Sequence, residues 1–577
     1  MLQGVNNRIS RWLHGRDFGV WHAPEYRLPF SAPGFDARRA DFALWYLLER
    51  RAIGRRSLRQ PRRAEQQELA RVHTPELLAS LGRPETLARI FACDPRGMPV
   101  DQVMSSVRLA CGATIDAARE LLRPAAHEMG RRALNLFGGF HHAKPGAAGG
   151  FCALNDIAIA VAALRFDGFK GRVLVLDLDA HPPDGTAACL LNDPAYWIGS
   201  LSCVSWGELP NVDETVLPPV CGDTEYLQAL GALLERMPPG DLAFVCAGGD
   251  VLAGDPLGGL GLTFEGCRER DFLAIDALSR VPSVWLPAGG YTAGAWRALA
   301  GCGLALGLRS RTPIAASYDP MAARFSDIAR SLAPESLGRG ELDLNDVAEE
   351  LGLGRPSHLL LGYYSAEGLE HALHVYGVLD ALRRLGYGPF RVELEESGVG
   401  DSARLLDAPS GEPLIEVVVE KRSVAGSDML YVHWLALRNP KARFAPTLQA
   451  LPGQDVPGLG LSREITEMLI RMAVRRDLEG LAMRPSAYHL AHVRRDTLHF
   501  VDPVRQGRFE SLCEALRDLP LVEASQLVAE GGVQLNGQPY VWEPDEMVRW
   551  VIPRPEDRAA IDEAKTRSVF TLSRSAT

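Results

Sequence analysis

Between about residues 100 and 308, short apolar runs alternate with longer segments whose apolar positions recur every three or four residues. RVLVLD (172–177), AYWIGSL (195–201), DLAFVCA (241–247) and SVWLP (283–287) have the length and composition of buried strands. Segments 153–165, 184–192, 223–236, 264–279 and 293–306, between and around them, carry helical spacing. This alternation predicts βαβ units: an α/β fold with a parallel sheet covered by helices on both faces. After Ser310 the pattern changes. Residues 311–340 are mixed, contain LAPESLGRG, and read as a linker. HALHVYGVLDALRRLG (371–386) then predicts a helix, and PFRVELEE, EPLIEVVVEKR and MLYVHWLAL predict strands. Two further helices and a short β-rich piece complete a second, α+β domain. The expected division is 1–310, a linker over 311–340, and 341–577.

A chain of 577 residues is too long for one hydrophobic core, which agrees with two domains. Its 46% apolar and 23% charged residues are ordinary for a soluble enzyme. Apolar stretches such as Val173 to Leu176 are strand-length, so no membrane partner is expected. The first residues, MLQGVNNRISRWLHGRD, lack an apolar signal core, and the expected location is cytoplasmic. Ten cysteines without a CxxC pair, nine of them before residue 303, suit reduced and mostly buried thiols. A net charge of −10 argues against binding nucleic acid over the whole surface. The arginines at 50, 51, 55, 56, 59, 62 and 63 read as a solvated helix face and loop in preference to an anion-binding patch.

Ligands of a parallel α/β sheet gather outside the carboxyl ends of its strands. Three strand ends here carry residues suited to a metal. VLVLD leads to Asp179 and His181, LAFVCA leads through two glycines to Asp250, and SVWLP leads through Ala288, Gly289 and Gly290 to Tyr291. A lone Asp-x-His is more often a turn and a cap; three strand ends together favour a ligand set. Asp179 and His181, two apart on an extended segment, leave on the same side. With Asp250 they make two carboxylates and one imidazole, a set for zinc or ferrous iron that leaves a position for water and substrate. His141 and His142 supply a base for that water and an acid for a departing amine. Asp177 and Asp184 are the natural carboxylates to fix the two imidazoles, and Tyr291 is placed to donate to a developing oxyanion.

GGFHHAKPGAAGGFCALND (138–156), DLDAHPPDGT (177–186), GGDVLAGDPLGGL (248–260) and AGGY (288–291) resemble the successive signature blocks of histone deacetylases and bacterial deacetylase-like amidohydrolases. VHTPELL (72–78) resembles an earlier segment of that family, and the likeness spans about residues 20–308. It implies the arginase/deacetylase fold and hydrolysis of an acyl-amide, on acetyl-lysine or a small acetylated amine. By the same resemblance Asp179, His181 and Asp250 match the zinc ligands. His141, His142, Asp177, Asp184 and Tyr291 match the catalytic groups. Gly150 and Phe151 match the wall of the acyl-lysine tunnel, and Gly289 and Gly290 are expected beside the substrate. Asp177, Ser200 and Leu201 fall where the family holds a monovalent cation such as potassium. One departure concerns Pro182 and Pro183, which stand where the family usually has His or Gln and then Gly. Proline fixes φ near −65°, so the turn carrying Asp184 is expected to be rebuilt. Asp94 and Asp101 are candidates for an acidic rim residue.

In the second domain Gly458-Leu459-Gly460, ahead of SREITEMLIRMAVRR, resembles the pyrophosphate turn of GNAT acyltransferases, which implies acyl-CoA as a ligand. ASQLVAEGGVQLNGQPY (524–540) resembles the small S4 RNA-binding module, but no basic surroundings support nucleic acid there. Three function classes are open: a metal deacylase with an accessory domain, a scaffold on an inactive hydrolase fold, and a chain that both removes and adds acyl groups. Retention of every ligand, both histidines and the tyrosine favours the first.

Overall fold

The structure is a computed structural model that describes residues 18–28, 36–95, 98–124, 131–338, 358–444 and 450–572. The chain divides into two compact units, Met1–Pro320 and Met321–Thr577. The N-terminal segment ahead of Phe18 and the expected linker beyond Gly338 lie outside the described residues.

The first unit is built on eight strands: β1 Phe18–Trp21, β2 Leu58–Arg59, β3 Arg132–Asn135, β4 Val173–Asp177, β5 Tyr196–Ser202, β6 Val212–Val216, β7 Leu242–Cys246 and β8 Ser283–Leu286. Their order is β2-β1-β3-β8-β7-β4-β5-β6, and every pairing is parallel. All five residues of β4 and of β7 are buried, so both faces of the sheet are covered. Continuous Val, Leu, Ala and Phe runs without polar alternation are what such doubly covered strands require. From β4 the chain moves outward to β5 and β6; from β7 it moves the other way to β8. β4 and β7 are neighbours, so their carboxyl ends flank a crevice where successive connections diverge, the place where such sheets hold ligands.

The four apolar runs fall within a residue or two of β4, β5, β7 and β8. The sequence reading did not mark β1, β2, β3 and β6. β2 has two residues, and β6 is an edge strand of sequence VDETV with no buried position. Short or polar strands carry little periodic signal, and their neighbours in the sheet fix them. Within the arginine run Arg59 pairs with Glu120 and Arg62 with Glu68 and Asp116, while Arg50 lies over Tyr46 and Tyr318.

The expected linker is partly helical. Pro320–Ser331 forms a helix that buries Met321, Phe325 and Ile328, with Phe325 against Tyr376 at 4.8 Å between ring centroids. Apolar positions spaced by four and three residues were the available signal. The helix expected over 371–386 is instead two, Ala366–Val375 and Val378–Arg384, broken at Gly377, whose φ is +81°. Only a residue tolerant of the left-handed region makes that break cheaply.

The second unit contains β9 Phe390–Ser397, β10 Gly400–Asp407, β11 Pro413–Val424, β12 Ser427–Leu437, β13 Gly480–Met483, β14 His499–Phe500, β15 Val533–Leu535, β16 Gln538–Pro539, β17 Met547–Trp550 and β18 Phe570–Leu572. Seven of them form a sheet in the order β14-β17-β13-β12-β11-β10-β9, and β16-β15-β18 form a small one. β9 to β12 run antiparallel; Ala425 and Gly426, both at positive φ, make the two-residue turn between β11 and β12. Helix Ser462–Arg475 then crosses to β13, which pairs with β12 in parallel. Residues 524–540 supply Ala524, Val528, Val533 and Tyr540 to the same core as Tyr488, Phe500 and Phe509, so they are part of this unit and not a separate module. Among the described residues no helix is long and apolar enough to cross a membrane.

Candidate active site

Asp177 ends β4, and the chain then bends over residues 179–181 instead of staying extended, which still presents Asp179 and His181 together. Asp179 and Asp250 are buried, at 1% and 0% exposure, and His181 Nδ1 lies 3.1 Å from an oxygen of each. Glycines let the strand ends converge. A Cβ at Gly248 would fall 2.7 Å from both Asp179 Oδ2 and Asp250 Oδ1, and one at Gly289 would fall 2.5 Å from Asp250 Oδ2. The Gly289 N–H donates to Asp179 Oδ2 at 2.7 Å, and the Ala180 N–H to Asp250 Oδ1 at 3.2 Å.

The end of β3 brings in the histidine pair. Buried Asp156 accepts hydrogen bonds from the Gly139 and Phe140 N–H groups, and Gly139 turns at φ +81°. His141 Nδ1 meets Asp177 at 2.9 Å, His142 Nδ1 meets Asp184 at 2.9 Å, and the two Nε2 atoms are 3.0 Å apart. Lys144 also pairs with Asp184, at 3.0 Å. His73, from VHTPELL, receives the Asn155 N–H on Nε2 and therefore donates from Nδ1 to the Lys144 carbonyl, which fastens the loop after the pair. Pro182 and Pro183 are accommodated: Pro183 sits at φ −81°, the Asp184 N–H donates to the Pro182 carbonyl at 2.9 Å, and a seven-residue helix starts at Asp184. The turn needs no positive φ there, so the prolines do not separate Asp184 from His142.

Tyr291 is placed by groups that the sequence reading left unassigned. Arg39, 8% exposed, donates to the carbonyls of Ala288, Gly289 and Gly290 at 2.8, 2.7 and 3.3 Å. Asp255 accepts the Tyr291 N–H at 2.7 Å. Arg39 is 250 residues from its partners, and no local pattern announces it. Asp255 stands inside a recognised block and was legible only as part of it. Phe151, at φ +62°, lays its ring 5.2 Å from that of Tyr291. A cleft joins these groups; its wall includes Leu28, Phe91, Phe137, Phe140, Gly150, Phe151, Gly289, Gly290 and Tyr291, with both histidines and Asp179. Trp206, on the loop after β5 and 52% exposed, stands outside that lining, its ring 5.1 Å from His142 and 6.1 Å from His181. A tryptophan in the polar stretch SWGELPN was the available sign. Asp94 lies three residues past the cleft residue Phe91; Asp101 is exposed in the first turn of helix Val100–Leu122 and does not line the cleft.

The electrostatics follow from burial and proximity. Burial disfavours a charged His141, yet Asp177 and Asp179 outweigh it and hold its pKa up at about 9. Burial and the charge of His141 push His142 below the ordinary range, against the pull of Asp184. Burial and the charge of Asp179 raise Asp250 to about 7. Burial likewise works against charge on His181, but hydrogen bonds to Asp179 and Asp250 raise it to about 11. Two buried carboxylates thus hold a proton tightly where a cation belongs. Asp179, His181 and Asp250 offer ligand atoms all within 4.8 Å of one another, a donor set that fits one divalent metal. Tyr291 is shifted upward by burial and then by the two aspartates, so its phenol stays protonated. Deeper in the sheet, Ser200 lies opposite Asp177 in register and Leu201 follows it, both fully buried. The Ser200 hydroxyl is buried without a hydrogen-bond partner, which fits a cation beside Asp177.

Residues 34–302 match the histone deacetylase domain family. An uncharacterised protein of Picosynechococcus is 34% identical over 295 residues, covering 48% of this chain and 92% of that protein. Histone deacetylase 2 of Arabidopsis thaliana is 31% identical over 285 residues, covering 46% and 71%. Among solved structures, that of an HDAC homologue from Aquifex aeolicus aligns with a TM-score of 0.42 at 24% identity, covering 51% of this chain and 84% of that one. The parallel sheet flanked by helices is the arginase/deacetylase arrangement. With the signature blocks gathered on one crevice, the chain belongs to the histone deacetylase family, and its first unit carries a hydrolase domain for acetylated amides.

Proposed function

We propose that the first unit is a zinc-dependent deacylase whose metal is held by Asp179, His181 and Asp250. The observation that carries this reading is the cleft that Asp179 shares with the histidine pair and Tyr291, with His181 and Asp250 gathered on Asp179 behind it. Zinc, or ferrous iron in its place, would polarise both the attacking water and the acyl carbonyl. The chain's own groups do the rest. The Nε2 atoms of His141 and His142 lie 3.0 Å apart: the imidazole that is neutral would take a proton from the attacking water, and the pair would return one to the departing amine. Asp177 and Asp184 fix the ring orientations. Tyr291 donates to the oxyanion as the carbonyl becomes tetrahedral. Potassium beside Asp177, Ser200 and Leu201 would neutralise the buried carboxylate behind His141.

The substrate class is acetyl-lysine in exposed positions, or a small acetylated amine, with little discrimination among flanking residues. Unpaired cysteines throughout suit the reducing cytoplasm. The test uses the full chain and an acetyl-lysine peptide. Chelation abolishes hydrolysis, and zinc restores it in proportion to metal measured by elemental analysis. Full activity in metal-free protein overturns the reading.

A second proposal concerns the other unit: acyl-CoA binding. β12 and β13 pair only over Met429–Val432 and Gly480–Met483, while β12 continues to Leu437 along β11. β13 ends at Met483, and the turn Gly458–Gly460 leads into helix Ser462–Arg475 ahead of it. The main-chain N–H groups at that helix start suit a pyrophosphate. Calorimetric titration of the full chain with acetyl-CoA tests this, and absence of both heat and a melting shift excludes it.

A further inference from the structure

Helix Ser462–Arg475 carries charge on a face that packs inward. Met468, Arg471, Met472 and Arg475 recur at three- and four-residue spacing and so share one side of it. Both methionines are buried, and Arg471 keeps only 18% of its side chain exposed, while Val474 on another side is 42% exposed. Arginines near a helix end ordinarily reach for water or for the helix's own last carbonyls. These two instead line a cavity within the second unit. Its apolar walls are the two methionines, Leu369 and Ala372 of helix Ala366–Val375, and Leu332 and Leu337 from the chain ahead of that helix. Tyr364 and Tyr376 also line it.

The polar groups of this cavity are short of an acceptor. Arg475 gives Nη2 to the carbonyls of Ala329 and Leu332, at 2.6 and 3.2 Å, and pairs with no carboxylate among the described residues. Arg471 stands 3.6 Å from Glu467, beyond hydrogen-bond reach, and that carboxylate serves Arg549; Arg471 Nε is buried without a hydrogen-bond partner. Among the described residues neither the Tyr364 nor the Tyr376 hydroxyl makes a hydrogen bond. Burial raises both phenols against the pull of Arg475, to about 12 for Tyr376, so each is a protonated donor at neutral pH. Buried donors without acceptors are costly, and a carboxylate matches the fork of a guanidinium.

We propose that this cavity binds a small monocarboxylic acid with an apolar body: Arg471, Arg475 and the two phenols hold the carboxylate, and the hydrocarbon lies along the leucines and methionines. The flexible thioethers adapt to the shape of that body. The site is distinct from the acyl-CoA turn, since Gly458–Gly460 precede the start of this helix and Arg471 lies about 14 Å along it from Ser462. It rests on neither the deacylase nor the acyl-CoA reading.

The test titrates hexanoate and benzoate calorimetrically into the full chain, with hexanol and inorganic phosphate as probes of the apolar and the charged halves alone. At least one acid binds and raises the melting temperature, and hexanol and phosphate bind at least about tenfold more weakly. A lost hydrogen bond to a charged group costs about ten- to hundredfold in affinity, so Arg471→Gln and Arg475→Gln each weaken the acid by that factor. Tyr376→Phe, which keeps its ring against Phe325, weakens it by about tenfold at an unchanged melting temperature of the free protein. A carboxylate lodged in the deacylase cleft is indifferent to these substitutions, so acid binding that survives unchanged in Arg471→Gln and Tyr376→Phe overturns the proposal. Phosphate binding as tight as that of the acids overturns it too, as does the absence of heat and melting shift with both acids.

Discussion

Adjacent glycines at the end of β7 and β8 make opposite predictions. In Gly289→Ala the new methyl would lie 2.5 Å from Asp250 Oδ2 and 2.8 Å from Asp179 Oδ2, where ordinary contact needs at least about 3.4 Å. Both oxygens belong to the proposed metal ligands, and the Gly289 N–H itself holds Asp179 at 2.7 Å. One or both carboxylates must retreat by more than half an ångström, beyond the roughly 0.2 Å within which metal–ligand distances are kept. Misplacing a ligand costs about 10- to 100-fold in metal affinity or activity, about 1.4 to 2.7 kcal/mol. Gly249→Ala is the counterpart. Its methyl would meet nothing nearer than 3.6 Å, the Gly289 carbonyl oxygen and Gly290 Cα, and Gly249 does not occupy the left-handed region. It should stay within about threefold of wild type. The assay is zinc affinity against a competing chelator, together with deacetylation of an acetyl-lysine peptide. If Gly289→Ala binds zinc and turns over as wild type does, the metal does not sit between Asp179 and Asp250. If Gly249→Ala fails equally, the loop responds to any added bulk and the steric argument is wrong.

Tyr291→Phe should lower kcat by about 10²–10³ while leaving zinc content and melting temperature unchanged, because one oxyanion donor is lost and no packing is; an active Phe variant assigns the oxyanion to another donor. A chain ending at Pro320 should fold, bind zinc and hydrolyse a small amide, measured by circular dichroism melting and by activity. Ending it at Ser310 should lower the melting temperature by several degrees, since Ile314 is buried and Tyr318 packs on Tyr46 at 4.9 Å and hydrogen-bonds Glu49. Equal melting of the two truncated chains would show that residues 311–320 contribute nothing.

The parallel sheet and the ligand-bearing strand ends were legible because their signals are local. β4 and β7 are unbroken apolar runs, and Asp-x-His or Gly-Gly-Asp directly after such a run puts polar groups at a carboxyl end. The proline turn was harder to read: the residue types warned of a rebuilt loop, while the backbone solves it with φ −81° at Pro183 and keeps Asp184 on His142. Helix Pro320–Ser331 is short and followed closely by Pro and Gly, which masks its signal, although Met321, Phe325 and Ile328 keep helical spacing. The sequence alone therefore determined the donor types, their order along the chain and the fold class that makes strand ends converge. Tertiary structure alone decided which distant groups hold the site in shape. Arg39 reaches across the fold to three carbonyls beside Tyr291, Asp255 anchors that tyrosine's backbone, His73 ties the loop after the histidine pair, and Trp206 comes to rest beside His142. Such contacts join positions tens to hundreds of residues apart, where periodicity carries no information. They exist only because packing the sheet brings the carboxyl ends of β3, β8, β7 and β4 side by side.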